Sequence, residues 1–253
     1  MGHENWLMLC HREAVLSSKV PAKGAPATPA PSSDAEIDAF LEQVRAMPRK
    51  APAGARGRLI FSMDATMSRQ PTWDRAQQLQ ARMFLETEDI GGLDVQLVFY
   101  RGFGECKASR WVSDGRALAA MMSKVDCRGG HTQIGRVLGH VLKEARKGQV
   151  SAVVHVGDAC EENIDDLAEK AGEIGLLGIP VFMFQEGSDP VAAKAFSEIA
   201  RLSGGAHCRF DEGSAARLRE LLSAVAVYAA GGVAALEKHG GAGARLLLGG
   251  MGR

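Results

Sequence analysis

Cysteine is sparse in this sequence and does not pair by pattern. The five residues Cys10, Cys106, Cys127, Cys160 and Cys208 are odd in number, and no CxxC occurs. That excludes a disulfide framework or a zinc knuckle and implies reduced, mostly buried thiols. An excess of one charge is also missing: 30 basic residues stand against 30 acidic ones. The broad basic field that nucleic-acid binding needs is therefore absent, and no nucleic-acid partner is expected. Long apolar runs are lacking too. Trp6 to Cys10 gives five apolar residues, too few for a signal sequence, with no Lys or Arg cluster before them and Leu9 where a lipoprotein site wants a small residue. Leu221 to Leu236 is uncharged over sixteen residues, short of the roughly 18 that a membrane span requires. It is rich in Ala and Gly, Glu220 and Glu237 close it, and it reads as a packed terminal helix. The expectation is a cytoplasmic protein that does not engage a membrane. Finally, no phosphate-binding P-loop, GxSxG elbow or HExxH is found.

What is present reads as one α/β domain with tails. Residues 1–33 scatter Pro21, Pro26, Pro29 and Pro31 among Ala, Thr and Ser, a composition expected to stay disordered. Ser33 and Glu36 have capping-box spacing, and Ile37, Phe40, Leu41 and Val44 predict a helix over 34–48 that Pro48 ends. The main domain is expected over 57–239, followed by a flexible Gly-rich tail over 240–253. Within the domain, apolar runs at 59–63, 95–100, 152–156, 181–184 and 206–210 read as strands. Helical stripes separate them: Trp73, Ala76, Leu79, Met83; Ile134, Val137, Leu138, Val141, Leu142, Ala145; Ile164, Leu167, Ala171, Ile174; and Ala192, Ala195, Phe196, Ile199. A short helix is expected around Leu118 and Met122, and a last helix from Ala215. Residues 106–112 follow a short Gly-containing turn and read as the return strand of a hairpin. Strands apolar on both faces, alternating with helices, predict a doubly wound α/β fold. Its mostly parallel central sheet has about six strands, one antiparallel edge strand and helices on both faces. In such sheets ligands sit beyond the carboxyl ends of the strands, at a topological switch point.

Three loops at that end hold short oxygen side chains. Asp64-Ala65-Thr66-Met67-Ser68 follows the first strand, Gly129-Gly130-His131-Thr132 precedes the strongest helical stripe, and Gly157-Asp158 ends the strand containing His155. The pattern D-x-(S/T)-x-S, then a lone Thr, then a strand-terminal Asp resembles the metal-ion-dependent adhesion site of von Willebrand factor type A (vWA) domains. The likeness covers about residues 57–237. It departs at Thr66, where the family more often has Ser; both offer a hydroxyl oxygen. The resemblance implies a site for Mg²⁺ or Mn²⁺ at Asp64, Thr66, Ser68, Thr132 and Asp158, with hydroxyls ligating directly and the carboxylates acting mainly through water. A hard cation of this kind wants about six oxygen ligands near 2.0–2.1 Å. The resemblance further implies that a partner protein's Asp or Glu completes the sphere. Intracellular bacterial relatives serve as adaptors, sometimes for AAA+ ATPases. The function expected is metal-dependent protein binding rather than catalysis. A metal-dependent hydrolase is the alternative, though no convincing base or nucleophile is found.

The neighbouring residues carry two readings each. Arg69 can grip an incoming carboxylate or be a surface arginine, and His131 can line the partner surface or be a solvated loop residue. Glu161 and Glu162 are either an acidic rim that tunes the metal or part of a helix start. Asp165 and Asp166 read as the acidic first turn of a helix capped by Asn163. His155, inside an apolar strand, reads as a hydrogen-bonded core histidine. Arg101-Gly102-Phe103-Gly104 is either a hairpin turn or a loop that shapes the site. The partner-facing candidates are Arg69, His131 and Glu161.

Overall fold

The computed structural model describes residues 57–73 and 93–210, together with Ala39, Ala224, Val225 and Ala229. Six strands form one sheet: β1 (Gly57–Asp64), β2 (Leu93–Arg101), β3 (Glu105–Val112), β4 (Ala152–Gly157), β5 (Val181–Glu186) and β6 (His207–Phe210). Their order across the sheet is β3-β2-β1-β4-β5-β6. All neighbouring pairs are parallel except β2 with β3, which closes as a hairpin. The apolar runs predicted the parallel strands, and the short Gly-containing turn predicted the antiparallel edge. The α-helices with described bounds are α1 (Gly115–Met122), α2 (Ile134–Lys147), α3 (Ile164–Leu176) and α4 (Pro190–Ser203). The predicted tails, most of the helix over 34–48, the stripe beyond Trp73 and most of the last helix lie outside the described residues.

The period-2 geometry of β1 divides the core. Leu59, Phe61 and Met63 point to one face, where Leu118 and Met122 of α1 pack with Ala224, Val225 and Ala229. Ile60 points to the other, against Val137, Leu138 and Val141 of α2, Leu167 and Ile174 of α3 and Phe196 of α4. Helices therefore cover both faces, which is why β4 is buried throughout and β1 at all but Arg58. Local sequence sets the helix ends. Asn163 caps α3 by accepting from Asp165 N at 2.8 Å, and Asp189 caps α4 by accepting from Ala192 N at 2.6 Å. The acidic first turn of α3, Asp165 and Asp166, is a helix start as its spacing predicts.

The switch point falls between β1 and β4. The chain leaves β1 for β2 and β3 on one side, then returns to place β4 on the other. Asp64 ends β1, and Asp158 follows β4 directly. The two carboxylates thus meet at the end of the sheet where a parallel fold leaves a crevice. Among the described residues, no helix is long and apolar enough to cross a membrane.

Candidate functional site

Asp64 is fully buried at the end of β1. One carboxylate oxygen accepts from the Thr66 backbone N–H at 2.7 Å and the other from the Tyr100 hydroxyl at 3.0 Å. Tyr100 is held opposite Asp64 by the β1–β2 register. Strand position alone marked Tyr100 as core; only the pairing shows that its hydroxyl serves the site. Beyond the turn, Thr66 Oγ1 and Ser68 Oγ lie 3.1 Å apart. The Ser68 side chain neighbours the Asp158 carboxylate and holds its pKa down against burial. Asp64, Thr66, Ser68 and Asp158 therefore form one continuous chain of contacts.

The Thr132 loop is fastened to this group from two directions. Arg128 N donates to Ala65 O at 3.0 Å, so the chain before Thr132 runs beside the Asp64 turn. Glu161, three residues past Asp158, makes a reciprocal pair: its N–H donates to Thr132 Oγ1 at 2.9 Å, and its carboxylate accepts from Thr132 N at 3.1 Å. The same carboxylate oxygen lies 2.9 Å from His131 Nδ1. Glu162 does something different. Its carboxylate accepts from the first N–H groups of α2, those of Ile134 and Gly135 (2.8 Å for the latter). Gln133, at the N-cap, makes no capping bond with its side chain, so Glu162 caps α2 from across the fold. Glu161 is thus a rim residue tied to Thr132, and Glu162 belongs to a helix start, though not its own.

Close backbone approaches fix the loops. A Cβ on Gly130 would fall 2.0 Å from the Gly102 carbonyl oxygen, so the β2–β3 turn presses directly on the Thr132 loop. Gln133 reinforces this contact by donating to the carbonyls of Arg101 and Gly102. Residues 101–104 are therefore both a hairpin turn and a buttress of the site. Gly102 adopts a left-handed φ of 62° to make that turn. Phe103, at its tip, is 83% exposed and meets the His131 ring edge-on at 5.2 Å.

Arg69 corrects both of its sequence readings. It is neither a surface arginine nor available to a partner, being 1% exposed. Its Nε donates to Glu186 at 2.9 Å, its NH1 donates to the Asp64 carbonyl at 2.9 Å, and the guanidinium lies over the Trp73 ring. The partner Glu186 lies 117 residues away in sequence, at the end of β5. His155 is a core residue as expected. Its Nδ1 sits 2.6 Å from Ser62 Oγ, and burial, aided by Arg69, pushes its pKa down to about 3. Ser62 and His155 are sealed at 0% and 1% exposure, so this pair cannot reach a substrate.

Two carboxylates dominate the electrostatics of the centre. Burial raises the Asp64 pKa from 3.8 to about 6 against hydrogen bonds to Thr66, with Asp158 adding repulsion and Arg69 partly offsetting it. Burial likewise raises Asp158, opposed by Ser68 and Arg69. Asp158 also keeps one buried carboxylate oxygen with no hydrogen-bond partner, a costly state for an anion. Among the described residues no three His, Cys, Asp or Glu side chains cluster as a metal site. The other donors here are the hydroxyls of Thr66, Ser68 and Thr132.

No protein-family model matches the chain, and no curated protein matches it. Solved structures do. A von Willebrand factor type A protein from Catenulispora acidiphila aligns with a TM-score of 0.53 at 17% identity, over 67% of this chain and 42% of that one. The fold is that of a vWA domain. The vWA domain of SpRpn10 matches at a TM-score of 0.51 and 14% identity, over 67% of this chain and 93% of that chain. The pilus adhesin SpaC of Lactobacillus rhamnosus GG matches at 0.54 and 10% identity, over 71% and 30%. The chain spans less than half of the Catenulispora protein. The vWA-like topology places the β1 and β4 ends, and with them Asp64 and Asp158, at the crevice of the sheet.

Proposed function

We propose that this vWA-like domain binds a partner protein through a divalent cation, Mg²⁺ or Mn²⁺, held by Asp64, Thr66, Ser68, Thr132 and Asp158. The observation that carries this reading is the unpartnered, buried oxygen of Asp158 beside a second buried carboxylate and a run of hydroxyls. Such a group is unfavourable as it stands, because burial and mutual repulsion both oppose two negative charges. A hard cation reverses that balance, and an all-oxygen donor set suits Mg²⁺ or Mn²⁺. The cation supplies Lewis acidity toward a carboxylate; the chain supplies position. Tyr100 and the Thr66 N–H fix the Asp64 carboxylate, and Glu161 fixes the Thr132 side chain.

The surroundings favour binding over chemistry. The Ser62–His155 pair, the strongest nucleophile–base geometry nearby, is buried beneath the site. The rim, by contrast, is open: Phe103 is 83% and Met67 52% exposed, and His131 and Glu161 stand beside Thr132. These are the surfaces a partner would meet while its Asp or Glu reaches the ion. A partner of the AAA+ ATPase class fits the adaptor role that the resemblance implies, and a cytoplasmic setting goes with that reading.

The test is a pull-down from lysate with the immobilised full chain in Mg²⁺, in EDTA, and with Thr132→Ala. Thr132 is buried and its hydroxyl accepts one hydrogen bond, from the Glu161 N–H, so the variant should lose about 1–3 kcal/mol of stability and still fold. A protein retained in Mg²⁺ should be lost in EDTA and lost from the variant. Retention indifferent to both treatments would contradict the proposal.

A further inference from the structure

A second recess lies on the flank of the domain, between α2 and the edge hairpin. It encloses about 280 Å³. Its origin is legible in α2: Arg136, His140 and Lys143 fall at i, i+4 and i+7 on one helix face, and Gly139 sits among them without a side chain. A Cβ added to Gly139 would meet nothing within 4 Å. The opposite wall is Cys106, Lys107 and Ala108 of β3, with Val98 behind them. No carboxylate lines the recess among the described residues.

The charges facing it are only partly neutralised. Lys107 is paired with Glu105 at 2.7 Å. Among the described residues Arg136 is held by neutral acceptors, through one nitrogen that donates to Gly104 O and Gln133 Oε1. Lys143 forms no ion pair within the described residues. The nearest acidic side chain on the helix, Glu144, is taken by Lys147 and the Trp111 indole N–H. His140 is turned to Gln96 at 2.8 Å. Among the described residues, two cationic groups two helical turns apart, on a helix face opened by a glycine, are thus left without a counter-anion.

We propose that this recess binds a phosphate monoester dianion, with Arg136 and Lys143 as its charge partners. A phosphate monoester carries close to two negative charges at neutral pH and three acceptor oxygens, which matches two cations with donors to spare. The recess is separate from the Asp64–Asp158 crevice and does not depend on a metal. Two sources offer the same chemistry: a small phosphorylated metabolite and a phosphorylated side chain of a partner protein.

Inorganic phosphate titrated into the ¹⁵N-labelled full chain, at constant ionic strength set with chloride, tests this directly. Saturable shifts should centre on residues 106–108 and 136–143. Lys143→Gln should weaken the affinity roughly fivefold or more. Gly139→Leu should abolish binding by filling the recess while leaving every charge in place. Melting curves check that both variants fold, and each substitution is at a position with room or exposure. Free phosphoserine and a phosphoserine peptide then assign the source: equal affinity points to a metabolite, and tighter peptide binding to a modified protein. Absence of saturable shifts, or shifts unchanged in both variants, overturns the proposal.

Discussion

Replacing Asp64 with Asn removes a charge and keeps the shape of the side chain. The wild-type carboxyl ionises near 3.8 in the unfolded chain and at about 6 in the folded one, with burial as the main cause. The gap corresponds to about 3 kcal/mol of metal-free stability. Its sign is fixed by the direction of the shift. A raised carboxyl supports the fold fully below pH 3.8, and that support drains away as pH rises to about 6. Above that point the penalty is complete. In EDTA, Asp64→Asn should therefore be more stable than wild type at pH 7.5. The gain should be about 1–3 kcal/mol, reduced from the full figure because the amide cannot serve both Thr66 N–H and the Tyr100 hydroxyl equally well. Near pH 4 the two proteins should differ by less than about 1 kcal/mol in the same buffer. Urea unfolding at the two pH values reads this out. Saturating Mg²⁺ should then stabilise wild type and leave the variant unchanged. A variant that is less stable than wild type at pH 7.5, or equally displaced at both pH values, would refute the electrostatic reasoning.

Three further perturbations separate the parts of the site. Gly130→Ala should cost about 1–3 kcal/mol and weaken Mg²⁺ binding, because its Cβ would fall 2.0 Å from the Gly102 carbonyl oxygen, whereas Gly129→Ala meets nothing within 4 Å and should be silent; thermal melts and calorimetry compare the pair. Arg69→Met should cost about 3 kcal/mol, since it leaves Glu186 in a mostly buried position without this partner, yet tighten Mg²⁺ binding by removing a positive charge beside two carboxylates; a fall in both quantities would make Arg69 a support of the metal instead. Mg²⁺ affinity of wild type should fall as pH drops below about 6, when Asp64 takes up its proton; calorimetry at pH 5 and pH 7.5 measures it, and a flat profile would contradict the role of Asp64.

The fold was largely legible because its central strands are buried on both faces. Runs such as Leu59–Met63 and Ala152–Val156 announce a covered parallel sheet without help from any long-range contact. Asp64, Thr66, Ser68 and Asp158 stood out because they follow strand ends, Thr132 because it precedes the strongest helical stripe, and it was the likeness to the vWA pattern that joined the five. Contacts that cross the fold were not legible. Arg69 reads as a surface residue until Glu186, 117 positions later, is seen to receive it. Glu161 and Glu162 are adjacent in sequence yet serve different elements, one bonded to Thr132 and the other to the start of α2. Tyr100 reads as core until the strand register puts its hydroxyl on Asp64. Composition and periodicity locate elements, while such pairings depend on register and on which loops the topology places side by side.

Isothermal titration with Mn²⁺ and Mg²⁺ into the full chain tests for a divalent cation at the β1–β4 crevice with no partner required. Wild type should bind one ion per chain. Asp158→Asn should bind none, because it neutralises the buried oxygen that lacks a partner, and should keep its cooperative melt. No saturable binding to wild type, or equal binding to both proteins, would contradict the claim.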